Sequence, residues 1–362
     1  MATNKPRRSG IELLRILAML LIVAHHFALH TNWPAGGSAY NSYLIEVLKS
    51  FGKVGAGIFF IIAGYFLTKR KNDSSTIRRI FKIARPTWFY ALACLVFILA
   101  IGDFTIVVSL PVQREIYNSF LPITGDAYWF VGAYIVLELI SPYLIKMINA
   151  ITNKEALTLL FMYIVISWEF GSLSFLATGD YTPITTIPSC IIYSAIGILI
   201  ARSEKDISKS KSLICIALCF LALIVAPALM MRMSGYPYNG SLAWQFDSPI
   251  CMLLAGSLFV VFSRMNFTNK IINYVSSTMF GVYLIHDNIF IRRWLWQGGG
   301  SIQNAAHFSD PPISFAIYSA AAILAVFSSC ILIEIIRKTI TAIVFWFYKM
   351  VKTIFSRKST CY

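Results

Sequence analysis

The sequence predicts an all-α, polytopic transmembrane bundle of about ten spans with both termini cytoplasmic, and three observations predict it. Hydrophobic residues make up 57% of the 362 and charged residues 13%, about half the charged share of an ordinary soluble domain. Apolar runs of about 20 residues, the length a bilayer core demands, recur from end to end. Lys and Arg gather in alternate short loops, as the positive-inside tendency requires.

Residues 1–10, MATNKPRRSG, read as a cytoplasmic tail. They lead into IELLRILAMLLIVAHHFAL, which superficially looks like a signal-peptide core. The run is full length, holds two histidines and is followed by many further spans, so it reads as a retained first helix at 11–29. Further spans are expected at 42–68, 86–102, 129–149, 156–175, 186–201, 212–231, 248–263, 272–291 and 313–336. Residues 339–351 either continue the tenth helix or lie along the interface, within a cytoplasmic or interfacial tail at 337–362. The longest loops, about 27 residues before Tyr128 and about 20 before Pro312, are too short to fold alone. The chain is therefore read as one integral membrane domain whose bundle is 11–336.

On this topology twenty-four of the 31 Lys and Arg fall inside and six outside, Lys49 and Lys53 among the latter, while Arg15 lies within the first helix. The net charge of +15 is spread over loops between spans, with no basic domain set apart, which argues against nucleic-acid binding. The seven cysteines show neither a disulfide framework nor zinc spacing, and no metal site is expected. No internal repeat of the transporter kind is visible.

Ionisable residues inside spans are costly and usually mark sites, pathways or pairs. On the first helix the 11-residue step from Arg15 to His26 turns through about 1100°, only about 20° past three full turns. Glu12, Arg15, Met19, Ile22 and His26 thus form one stripe that His30 extends, whereas His25 points about 80° away. A neutral imidazole at that depth is an available general base; the competing reading is a polar contact across a helix interface. A second intramembrane histidine, His286, ends the run YLIH.

The segment TKRKNDSSTIRRIFKIARP, 68–86, carries seven basic residues in nineteen. Arg78, Arg79, Lys82 and Arg85 fall at helical spacings, so a short helix would present them together to a cytosolic polyphosphate; headgroup contact plus topology is the alternative. Before it, FGKVGAGIFFIIAGYFL places Gly52, Gly55, Gly57 and Gly64 in an apolar run, by default for close helix packing.

With these residues in hand, the chain resembles the membrane-bound acyltransferase family 3, which includes polysaccharide O-acetyltransferases. Four segments carry the resemblance in the family's order: GIELLRILAMLLIVAHHF at 10–27, GKVGAGIFFIIAGYFL at 52–67, RRIFKIARP at 78–86 and GVYLIH at 281–286, with WFVGAYIVLELISPYL at 129–144 in support. The family's basic residue, ten intervening positions and histidine map onto Arg15 and His26. Its arginine pair, associated with acyl-CoA, is matched by Arg79 with Lys82 or Lys82 with Arg85, a lysine replacing one arginine. The resemblance implies a cell-membrane enzyme taking cytoplasmic acyl-CoA, acetyl-CoA in the first instance, as co-substrate with no permanently bound cofactor. The acceptor implied is a hydroxyl of a cell-surface or lipid-linked glycan. His26 would act as general base, Arg15 would hold donor phosphate or carbonyl or pair with Glu12, and His286 would be a second site member. No acid on the first helix lies one turn from His26, so Glu138, Glu169 or the pair His286 and Asp287 would have to orient it from other spans.

A flippase or exporter of a glycan intermediate is the alternative from another class, and a catalytically dead scaffold a third. A transporter needs no acyl-CoA loop, so the basic run at 69–85 favours the enzyme.

Overall fold

The computed structural model describes residues 8–34, 37–69, 75–102, 112–123, 128–178, 186–203, 206–234, 245–297 and 304–358. The side chains of 112–113, 168–178, 230, 233–234 and 353–358, Glu169 among them, lie outside the description, as does most of the predicted N-terminal tail.

Nine of the ten predicted spans fold as single helices: α1 (Ser9–His30), α2 (Ala39–Leu67), α3 (Thr76–Ile101), α5 (Trp129–Ala150), α6 (Asn153–Thr178), α7 (Thr186–Arg202), α8 (Lys209–Ser234), α9 (Pro249–Ser263) and α13 (Pro312–Lys358). A short α4 (Val112–Phe120) precedes α5, and a 3₁₀ turn (Asn304–Ser309) precedes α13. Six helices are long and apolar enough to cross a membrane, and α7 and α9 are shorter apolar helices. Among the described residues there is no strand. Large apolar side chains such as Val96, Phe161, Leu218 and Ile317 are exposed on outward faces, which suits lipid as solvent.

The ninth span departs from expectation. Residues 272–291 form no continuous helix but parts of three: α10 (Lys270–Ser276), α11 (Met279–His286) and α12 (Ile289–Trp296). The Asn288 side chain accepts the Phe290 N–H at 3.1 Å and so starts α12, and its amide donates to Tyr128 Oη at 2.9 Å. Tyr128 in turn donates to the Leu284 carbonyl at 2.9 Å. Broken backbone at membrane depth is tolerated when protein groups satisfy it, and this corner is buried.

Two other boundaries move. Residues 76–85, the described part of the basic segment next to Pro86, are the first turns of α3, which passes through the proline without stopping. Residues 339–351 continue α13, which at 47 residues is about 70 Å long; its side chains from Thr339 to Lys352 are all exposed.

α1 and α2 pack against each other at the centre, with α7 and α9 on α2 and with α10 to α13 on α1. Ser9 fastens the start of α1, donating to Asn273 Oδ1 at 2.8 Å and accepting the Asn269 N–H at 2.7 Å. Buried Glu334 of α13 ties three helices: it accepts Tyr90 Oη of α3 at 2.5 Å, pairs with Arg337 at 2.7 Å, and fills the space beside Gly281 of α11. Where α2 meets α7, a Cβ on Gly64 would lie 1.9 Å from the Ser194 carbonyl oxygen, and one on Gly197 would lie 2.1 Å from the Ile61 carbonyl oxygen. Backbone cannot yield to that overlap as a flexible side chain would. Gly64→Val should therefore cost at least about 3 kcal/mol, read as loss of the monodisperse peak in detergent size-exclusion chromatography. Gly132→Ala, whose nearest neighbour would be 3.8 Å away, should elute like the wild type.

Candidate functional site

A cavity of about 460 Å³ runs along the polar stripe of α1. Arg15, Met19, Ile22, His26 and His30 all line it, spanning about 22 Å of helix axis. The facing wall comes from Lys53, Ala56, Phe59, Ala63 and Phe66 of α2, with Phe130 and Tyr134 of α5, Ile83 of α3 and Tyr283 of α11 completing it. The helical arithmetic on Arg15 and His26 therefore describes a real surface. Glu12 closes the stripe from behind.

His26 meets His286. Its Nδ1 lies 3.0 Å from His286 Nε2, and His286 Nδ1 lies 2.6 Å from the Val282 carbonyl oxygen. A carbonyl can only accept, so His286 Nδ1 carries the proton, and in the neutral ring Nε2 must accept. His26 Nδ1 is therefore the donor in the next bond, which leaves His26 Nε2 with the lone pair. Asp287 Oδ1 stands 3.5 Å from His26 Nδ1 and 3.3 Å from Arg292. Charge developing on the His26 ring would face that carboxylate. Of the orienting partners expected for His26 whose side chains are described, the pair His286 and Asp287 is the one that reaches it.

Arg15 is held by Glu12, whose two oxygens accept it at 2.8 and 2.9 Å, and stacks over Phe66 at 5.7 Å. Glu12 also accepts Ser276 Oγ of α10 at 2.5 Å. The guanidinium is thereby set at the cavity end opposite His30, with its remaining donors able to meet an anion. His25 leans toward α2, its Nδ1 2.7 Å from the Lys49 carbonyl oxygen and its ring against Gly52, and it lines the cavity at its α2 side.

The four basic residues of α3 are not brought together. Arg78, Lys82 and Arg85 follow one stripe and, with Arg337 of α13, line a separate groove of about 700 Å³. Arg79 lies on the other face, one turn before cavity-lining Ile83, and donates to Glu138 at 2.8 Å. Glu138 is thus committed to α3 rather than to His26.

Sequence reasoning passed over Lys53. It was counted among the outer charges, yet it sits in the middle of α2 and lines the cavity; a lysine within GKVGAG, amid an apolar run, was the available signal. Arg292, read only as an outer charge, lines the same cavity. Among the described residues His26, His30 and Asp287 bring one ligand atom each within 4.8 Å of one another. A divalent cation there would compete with Arg292 for Asp287 and stand in the same cavity as Lys53, which disfavours a metal centre at this group.

Comparison with known proteins bears on this geometry. The family model described as "Acyltransferase domain", that of acyltransferase family 3, matches residues 8–334. The chain belongs to this family. The match takes in α1, the α3 basic face and His286 alike. A serine/alanine racemase of Enterococcus gallinarum is 24% identical over 247 residues, which cover 62% of this chain and 33% of that protein. The chain thus spans about a third of the length of that curated relative. No solved structure matches it.

If the α1 cavity is where the acyltransferase works, obstructing it should stop turnover without unfolding the bundle. Ala56→Trp, which puts an indole between the Arg15 and His30 ends, should lower acyl-CoA turnover by at least about 100-fold. The melting temperature of the purified protein should stay within a few degrees of wild type.

Proposed function

We propose that the protein is a ten-span, single-domain cell-membrane O-acyltransferase with both termini in the cytoplasm, moving an acyl group, in the first instance acetyl, from cytoplasmic acyl-CoA to a hydroxyl of a cell-surface or lipid-linked glycan. The observation that carries this reading is the hydrogen-bond chain from the Val282 carbonyl through His286 to His26, which leaves a basic nitrogen on a ring that lines the cavity.

In the reaction, the acceptor hydroxyl attacks the thioester carbonyl carbon while His26 Nε2 removes its proton. The C–O bond forms, the C–S bond breaks, and the proton passes from His26 to the leaving thiolate to give free CoA. Asp287, 3.5 Å from His26 Nδ1, stabilises the transient imidazolium. His286 is a positioning residue: it fixes the His26 tautomer and does not touch substrate. Arg15 meets the donor at its end of the cavity, and its Glu12 partner keeps it from wandering. The groove of Arg78, Lys82, Arg85 and Arg337 is the place for CoA phosphates, with guanidinium groups suited to bind phosphate oxygens in pairs. Arg79, fixed on Glu138, supports the helix instead. CoA enters as a co-substrate and no cofactor is held permanently.

The relative from Enterococcus gallinarum carries a name that denotes amino-acid racemisation, and the match covers a third of it; its activity is not transferred here. A flippase would use the same cavity but would have no need of a base with a fixed tautomer.

Purified protein given labelled acetyl-CoA and glycan acceptor should form acyl-glycan, and His26→Ala should lower the rate by about 10²–10⁴-fold. Equal turnover in wild type and His26→Ala would contradict the role. His286→Ala should lose about 10²-fold in kcat with little change in KM, while His286→Gln, whose carbonyl can still accept from His26, should recover part of it. Replacing Arg78, Lys82 and Arg85 by Gln should raise the KM for acyl-CoA about tenfold or more and leave kcat within a few-fold.

A further inference from the structure

Of three cations at the end of the cavity opposite Arg15, two are directly paired among the described residues: Lys49 with Glu46 at 2.7 Å, and Arg292 with Asp287 at 3.3 Å. Lys53 is left over. Its side chain lines the cavity and makes no hydrogen bond or ion pair among the described residues. Asp287 and Asp247 act on it only at a distance; the first is shared between Arg292 and His26, and the second accepts Ser167 Oγ at 2.7 Å.

A primary ammonium is among the most strongly hydrated side-chain groups, and placing it in a largely apolar cavity without a partner is costly. A lysine there that served only packing could be replaced by any apolar residue of similar length. Lys53 instead lines the same cavity as His26, the space where an acceptor must lie to present its hydroxyl. Arg292, at the same end, spends one donor on Asp287 and has others with which to complete a site for two oxygens.

We propose that Lys53, assisted by Arg292, binds an anionic substituent of the acceptor, a carboxylate or a phosphate, and thereby orients the saccharide so that its hydroxyl faces His26. The acceptor is accordingly an acidic sugar or a sugar phosphate rather than a neutral glycan. This rests on the acyl-transfer reading above for the word acceptor, but the site itself rests only on the charges around the cavity.

Equilibrium binding tests it with no acyl-CoA present, in nanodiscs of neutral phosphatidylcholine so that anionic lipid cannot compete. The probes are methyl β-glucuronide for the carboxylate, glucose 1-phosphate for the phosphate and methyl β-glucoside as the neutral control. The wild type should bind at least one of the two anionic sugars at least 10-fold more tightly than the neutral one, and which of them binds identifies the anion. Lys53→Gln should abolish the difference and Lys53→Arg should retain most of it. Equal affinity for all three sugars, no binding of either anion, or anion binding unchanged in Lys53→Gln would overturn the proposal. Anion binding that depends on Lys53 alongside transfer that ignores His26 would remove the catalytic reading and leave the site standing; His26-dependent transfer with no Lys53-dependent binding would do the reverse.

Discussion

The hydrogen bond between His26 and His286 is the contact on which the rest of this structure depends. It joins α1, which carries the polar stripe, to α11, which ends at the break in the ninth hydrophobic segment. Because the far nitrogen of His286 is committed to the Val282 carbonyl, the proton positions of both rings follow from hydrogen-bond accounting alone. A histidine in lipid without such a partner would carry two unsatisfied nitrogens. Here one is satisfied by design of the fold and the other is left for chemistry.

The surrounding bundle deals with its remaining charges in the same way. Glu12 takes Arg15 and Ser276, Glu138 takes Arg79, and Glu334 takes Tyr90 and Arg337. Each pair spans two or more helices or fixes a side chain at a helix crossing, so the carboxylates act as joints. Removing one partner would strand a buried charge, a loss of about 3–5 kcal/mol. Lys53 stands apart from this pattern, lining the cavity with no direct carboxylate partner among the described residues, which is why it points to a ligand. Gly64 and Gly197 contribute the complementary device, bringing α2 and α7 to backbone contact so that α2 presents its other face to the cavity.

How much of this was legible beforehand differs from element to element. The α1 stripe was readable because a 3.6-residue period is enforced locally, and every member from Arg15 to His30 that was named either lines the cavity or packs in its wall. The long apolar segments were readable from length and hydropathy. The pair His286 and Asp287 was one of three candidates to orient His26, and the sequence could not choose among them, since their approach depends on a break at Asp287 and Asn288 that is set by Tyr128 from a distant part of the chain. The basic residues of α3 were correctly read as helical in spacing, but consecutive residues on a helix lie about 100° apart, and that separates Arg79 from Arg78 and sends it to Glu138. Lys53 was missed because charge counting assigns a residue to a side of the membrane and is blind to one that faces inward.

The central claim is that His26 waits with Nδ1 protonated and Nε2 bare. Solid-state nitrogen NMR of protein labelled with ¹⁵N-histidine, with the His26 signals assigned by loss in His26→Asn, reads this directly. The account predicts a protonated Nδ1 coupled across a hydrogen bond to an unprotonated His286 Nε2, and an unprotonated His26 Nε2 that shifts when a hydroxyl-bearing acceptor is added. A His26 ring protonated at Nε2, or one with no nitrogen coupling to His286, would contradict it.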